Sequence, residues 1–226
     1  MSGVKAMNEV AIAICTGKNV PVEFLHELLK LYSTHDYLTT VLVSGLYIQL
    51  NRSRAVKQAL EARWDYLLFL DDDMVLPDNL IDRVRGYTEP VVGGLYVRRT
   101  WPDVKPVPGQ WAPEIDGPFY HPLTADQLRP MLDEPGLYDC DVLGTGCLAV
   151  RRDVLADWPE DEIGPMFAVD SSPDGLEIIG EDLHFCWQLK QQGIQPKLDT
   201  ALDLGHLGTV PITKDFFLTQ AAMRAS

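Results

Sequence analysis

Three carboxylates in a row close an unbroken apolar pentad: YLLFL (66–70) runs straight into Asp71, Asp72 and Asp73. A pentad of this kind is the pattern of a strand covered on both faces, and in open α/β folds ligands bind at the carboxyl ends of such strands. Asp71 and Asp73 are two apart and face the same side in extended geometry. That pair suits one hard divalent cation, Mg2+ or Mn2+, held together with substrate phosphates. The competing reading is a solvated acidic turn in which Asp78 caps the helix that follows.

Gly180-Glu181-Asp182 heads an amphipathic stretch (181–193), and a carboxylate there can take the proton of an attacking hydroxyl. Acids also favour helix N-termini for electrostatic reasons alone, and the dipole that attracts them lowers their basicity. Base chemistry therefore requires burial or the neighbouring carboxylate to offset the dipole. His206 lies between glycines in LGHLG; imidazole is a frequent ligand for Mn2+-like ions, although a lone loop histidine is more often structural. Arg52, Arg54 and Lys57 in NRSRAVK are expected to open the helix before the Asp-rich strand, as a diphosphate seat or as a solvated positive face. The chain has neither GxGxxG after its first strand nor GxxxxGK[ST], so the dinucleotide fingerprint and the P-loop are both absent.

These groups need elements to carry them. EVAIAICTG (8–16) reads as a first strand, and Pro21 opens a helix with Val22, Leu25, Leu28, Leu29 and Tyr32 at helical spacing. TTVLVSG (39–45) is a β-branched second strand, followed by a helix over 54–64. The Asp-rich strand, a helix after Pro77 and the strand PVVGGLYV (90–97) continue the alternation, which argues for an α/β fold with a mainly parallel sheet. From Arg98 to about Asp139 prolines and aromatics break the pattern into a long irregular excursion, of the kind used as lids or binding loops. VLGTGCLAVRR (142–152) returns to strand, RDVLADW to helix, 181–193 is a helix with Leu183, Phe185, Cys186 and Leu189 as its apolar stripe, and 195–200 is a last strand. A helix led by Pro211 ends the chain.

The 226 residues carry a formal charge of -14 at 46% hydrophobic composition, enough chain for a real core and too little apolar run for a membrane span. Residues 1–65 hold seven basic and six acidic side chains, whereas 133–182 hold fourteen acids and two arginines. Such a surface repels phosphate backbones and disfavours general nucleic-acid binding. Cys15, Cys140, Cys147 and Cys186 lack CxxC spacing and read as reduced core residues. The N-terminus reads as a strand and not a signal peptide, so a cytoplasmic location is expected.

Taken in order, AIAICTG, NRSRAVKQALEARWDYLLFLDDDMVLP, GGLYVRR, GTGCLAVRRDVL, GEDLHFCWQLKQQG and LGHLGT make the chain resemble the GT-A nucleotide-sugar glycosyltransferases, especially short family-2-like members of bacteria and their phages. The resemblance implies a GT-A (Rossmann-like) fold: a mainly parallel sheet flanked by helices, a single domain over 1–226, with 1–97 as the nucleotide-sugar-binding half and 98–226 as the acceptor-binding and catalytic half. LDDD resembles the DxD motif, so Asp71 and Asp73 would bind Mn2+ or Mg2+ and the diphosphate, with Asp72 toward the ribose and His206 completing the metal site. GED resembles the ED motif, which makes Asp182 the base and Glu181 its support. Thr16 and Gly17 would lie near the nucleotide base and ribose, with Ser44, Arg52 and Arg54 as further donor contacts. Two positions depart from the pattern: His184 stands where an acid is usual, and Arg54-Ala55 where an arginine–asparagine pair is usual.

The implied reaction is transfer of a sugar from a nucleotide-diphosphate donor, a UDP-sugar, to an acceptor hydroxyl with inversion; retention stays open. The acceptor would be a sugar, a lipid-linked glycan, a protein or, as an alternative, a hydroxylated DNA base of phage type. A noncatalytic sugar-nucleotide or carbohydrate-binding module and a nucleotidyl transferase are the remaining alternatives.

Overall fold

The computed structural model describes residues 9–17, 19–35, 38–99, 104–115, 117–159, 163–171 and 178–208. The expected helix after Pro211 and Trp101 of the Pro/Trp-rich stretch lie outside them. The chain runs β1 (Val10–Thr16), α1 (Val22–Thr34), β2 (Thr39–Ser44), α2 (Ile48–Leu60), β3 (Tyr66–Asp71), β4 (Met74–Val75), α3 (Leu80–Gly86) and β5 (Val91–Leu95). It continues through β6 (Gly109–Trp111), β7 (Tyr120–Pro122), α4 (Ala125–Asp133), β8 (Leu137–Asp139), β9 (Cys147–Arg151) and α5 (Arg152–Ala156). Last come β10 (Asp170–Ser171), β11 (Ile178–Ile179), α6 (Glu181–Gln191), β12 (Lys197–Asp203) and β13 (Gly205–His206).

Seven strands form one sheet in the order β2-β1-β3-β9-β5-β12-β8. β2, β1, β3, β5 and β12 run the same way, and β9 and β8 run against them. Along β1 the side chains alternate: Ala11, Ala13 and Cys15 enter one core with Val56 and Phe185, while Ile12 and Ile14 enter the other with Phe24 and Leu80. An uninterrupted apolar strand is stable here because helices cover both faces and its period of two feeds both cores. All four cysteines are free and buried, as their apolar neighbours imply.

Four expectations are corrected. α2 starts at Ile48, behind an extended Tyr47 with no side-chain cap, so Arg52 and Arg54 lie in its second turn and do not form a helix N-terminus. α1 buries Phe24 and Leu31, with Leu28 partly buried, whereas Val22, Leu25 and Leu29 are exposed; the 24/28/31 spacing is the heptad-like face that meets the sheet. Asp78 caps nothing; Asn79 is the N-cap residue and Asp78 pairs with Lys30 at 3.1 Å. The 98–139 excursion holds an antiparallel β6–β7 pair, the helix α4 and the edge strand β8. α4 is held at its start by a capping box between Thr124 and Gln127, so the prolines around it shape turns and do not exclude a helix.

Candidate active site

The C-terminal edge of the sheet gathers the singled-out acids because three strand ends and one helix start meet there. β3 ends at Asp71, whose neighbour across β1 is Cys15, next to Thr16. β9, running the opposite way, brings the GTG turn to the same edge, and Gly146 O accepts from Asp71 N at 3.1 Å. The two glycines are required by Tyr96: a Cβ at Gly144 would stand 2.0 Å from its hydroxyl, and Gly146 N donates to that hydroxyl at 3.0 Å. β13 pairs with β4, and Leu207 N donates to Asp73 O at 2.7 Å, which fixes His206 beside the Asp-rich turn.

A cleft of about 400 Å³ opens at this edge, lined by Asp71, Asp73, Asp182, His206, Arg98 and Arg99, with Tyr96, Tyr120, Ile178 and Leu183 among its less polar walls. Arg52 is buried at 2% exposure and lies behind the acids. Its Nη2 donates to Asp71 Oδ1 at 2.8 Å, and its Nε and Nη2 to Glu181 Oε1 at 3.3 Å, while Nη1 has no partner. Burial alone would lower its proton affinity, but the two carboxylates outweigh burial and raise it. The Thr16 hydroxyl donates to the Asp72 carboxylate in a very short contact.

Asp73 is flanked on both oxygens. Arg99 Nη1 stands 2.5 Å from Oδ2, and His206 Nε2 stands 3.3 Å from Oδ1, out of hydrogen-bonding alignment, so that buried oxygen is left without a bond. Burial pushes the Asp73 carboxyl up, but His206 and Arg99 outweigh burial and hold it below its usual range. His206 Nδ1 meets the Val97 carbonyl at 2.8 Å. A carbonyl only accepts, so Nδ1 carries the proton, and in the neutral ring Nε2 turns a lone pair toward the orphaned Asp73 oxygen. Carbonyl support on one ring nitrogen with the other facing a carboxylate is the usual setting of a metal-ligating imidazole. Hard oxygens with one imidazole nitrogen suit Mn2+ or Mg2+. The residues present thus fit such an ion. As the side chains lie, no three His, Cys, Asp or Glu among the described residues converge on one point, because Arg52 and Arg99 hold the two acids apart.

Asp182 opens α6 behind Gly180 and accepts one hydrogen bond, from Leu183 N at 2.8 Å. Part of its surface faces the cleft, yet burial and then the Glu181 charge push its pKa up to about 6, against the opposing pulls of the Leu183 amide and Arg52. The offset that base chemistry requires at a helix N-terminus is therefore present. Gly17, Ser44 and Arg54 do not line the cleft: Gly17 and Ser44 are exposed beyond the ends of β1 and β2, and Arg54 is exposed on α2. Tyr96, Tyr120 and Leu183 were not singled out for the cleft from sequence; the glycines opposite Tyr96 were the available signal for it.

No protein-family model matches the chain, and no curated protein matches it. Solved structures do. The protein A197 from STIV is 18% identical over 88% of this chain and 85% of its own, with a TM-score of 0.57. GalNAc-T7, solved with UDP, GalNAc and Mn2+, is 15% identical over 90% of this chain, with a TM-score of 0.52. The match spans 44% of the GalNAc-T7 chain. The fold class is thereby set: a mixed, mostly parallel sheet flanked by helices in a single domain of the GT-A type. No helix among the described residues is long and apolar enough to cross a membrane.

Proposed function

We propose that the chain is a divalent-metal-dependent glycosyltransferase that moves a sugar from a nucleotide-diphosphate donor, a UDP-sugar, to an acceptor hydroxyl with inversion. The observation that carries this reading is Asp182: an acid short of hydrogen bonds, with a pKa near 6, in the same cleft as Asp71, Asp73 and His206. GalNAc-T7, which shares the fold, was solved with UDP and Mn2+, and this supports the donor and metal classes.

Asp71, Asp73 and His206 would hold the ion, which when bound neutralises charge on the departing diphosphate. Asp182 accepts the proton of the acceptor hydroxyl while that oxygen bonds to the anomeric carbon and the bond from that carbon to the diphosphate oxygen breaks. A carboxylate that titrates near 6 is ionised at neutral pH and remains basic enough to take the proton. Glu181 does not share that task, because it spends its Oε1 on Arg52. Arg52 positions Asp71 and Glu181 relative to one another. Thr16 and Asp72, joined by hydroxyl and carboxylate, lie on the side where the ribose of the donor is expected.

The deciding experiment measures donor turnover with Mn2+ for wild type and Asp182→Asn across a panel of nucleotide sugars, with sugars, lipid-linked glycans, peptides and hydroxymethylated DNA as acceptors. Nucleoside diphosphate released by the wild type and lost in the variant is the expected result. An inert wild type that still binds donors returns the binding-module reading, and release of pyrophosphate returns nucleotidyl transfer.

A further inference from the structure

The two acids of the Asp-rich turn each face an arginine, and the two arginines differ in kind. Arg52 is enclosed, bonded to two acids from distant segments, and has no route out of the core. Arg99 keeps 52% of its side chain exposed, and among the described residues Asp73 is the only acid its guanidinium meets. Its backbone is anchored nearby: Arg98 N donates to Lys105 O at 2.8 Å, Val107 N to Tyr96 O at 3.0 Å, and Val97 bridges Pro106. Its stem lies on the loop that carries His206, where a Cβ at Gly208 would stand 3.3 Å from Arg99 Cβ and Cγ. The head group alone is therefore able to leave, by side-chain rotation into solvent.

We propose that Arg99 is a placeholder for the divalent cation: its guanidinium neutralises Asp73 while no ion is bound and gives up that carboxylate when one binds. The proposal rests on reading Asp73 and His206 as metal ligands. A carboxylate only 16% exposed requires a partner of opposite sign in either state. Two cations on one carboxylate repel, and the exposed, singly anchored one is displaced at little cost. The orphaned Asp73 Oδ1 and the facing His206 Nε2 stay ready beside the exchanging group. The arrangement makes the ion compete with the chain's own side chain, so that metal affinity in the absence of donor is lower than the ligand set alone would give.

The test measures Mn2+ binding to donor-free protein by the loss of the free-ion electron paramagnetic resonance signal, in wild type, Arg99→Gln, Arg99→Lys and Asp73→Asn. Arg99→Gln should bind about fivefold tighter than wild type, the factor an exposed ion pair is worth, with Arg99→Lys close to wild type. Equal or weaker binding by Arg99→Gln overturns the placeholder while leaving the metal site standing. A wild type that does not bind Mn2+, or an Asp73→Asn variant that binds as well as wild type, overturns the metal reading and the placeholder with it. A measurement on unmodified protein is independent of any variant: Mg2+ should move the Arg99 Nε–H resonance, and a resonance unmoved at saturating Mg2+ overturns the exchange.

Discussion

Asp182 and Asp199 are both acids enclosed by the fold, and the chain treats them in opposite ways. Asp199, in the middle of β12 with 0% exposure, accepts from Arg83 Nε at 2.6 Å and Nη2 at 2.9 Å, from the Tyr87 hydroxyl at 2.6 Å and from Ala201 N at 2.9 Å. Four donors satisfy the lone pairs a carboxylate offers, and a buried charge so paired serves the scaffold. Asp182 accepts a single bond, has a like charge beside it at Glu181, and turns toward the cleft. Leaving a carboxylate short raises its proton affinity and keeps an oxygen for something outside the chain. What separates chemistry from structure in this fold is the number of donors the chain supplies to each acid, and burial alone does not distinguish them.

Removing each charge should break the molecule at a different place. Asp182→Asn should reduce the transfer rate by about 10²–10⁴-fold, the usual worth of a general base, with the melting temperature held or raised; steady-state kinetics with Mn2+ checks it, and a variant at wild-type rate withdraws the base assignment. Asp199→Asn should act the other way. It leaves Arg83 without its counter-charge and should cost about 2–3 kcal/mol, the lower end for a broken buried pair because Arg83 is a third exposed. Turnover per folded molecule should remain near wild type below the transition. Urea unfolding reads the first quantity, and an Asp199→Asn protein that is fully stable but inactive would reverse the comparison.

The same distinction explains what was legible in the sequence. YLLFL followed by three acids, and EDLHFCWQLK closed by Gly193, announce their elements through local pattern, and the parallel half of the sheet follows from alternation. Asp199 was unreadable as an ion-pair site because its partners, Arg83 and Tyr87, lie more than 100 residues away. Arg52 was placed on a helix but misread as facing a diphosphate, since Leu46-Tyr47-Ile48 disguises the true helix start and nothing local points to Glu181. The capping-box sequence Thr124-Ala125-Asp126-Gln127 was legible, yet the prolines around it, including Pro130 inside the helix, obscured α4. His206 carried little information alone; the Val97 carbonyl that sets its ring and the Asp73 oxygen that faces it are tertiary facts.

The smallest effect of the comparison is thermodynamic and depends on pH. The folded chain raises the Asp182 pKa from 3.8 to about 6, so folding favours the protonated acid and the ionised form costs stability. The sign follows: wild type should gain stability relative to Asp182→Asn as pH falls from about 6 toward 4, and lose it again as pH rises through that window. At about 1.4 kcal/mol per pKa unit, less a discount for the part of the carboxyl open to solvent, the full swing is about 2 kcal/mol. Urea titrations of both proteins at pH 4.5, 6 and 8, without divalent ions, measure the difference directly. A swing of the opposite sign would mean that Asp182 is satisfied in the folded chain as Asp199 is, and it would remove the physical basis for assigning proton transfer to it.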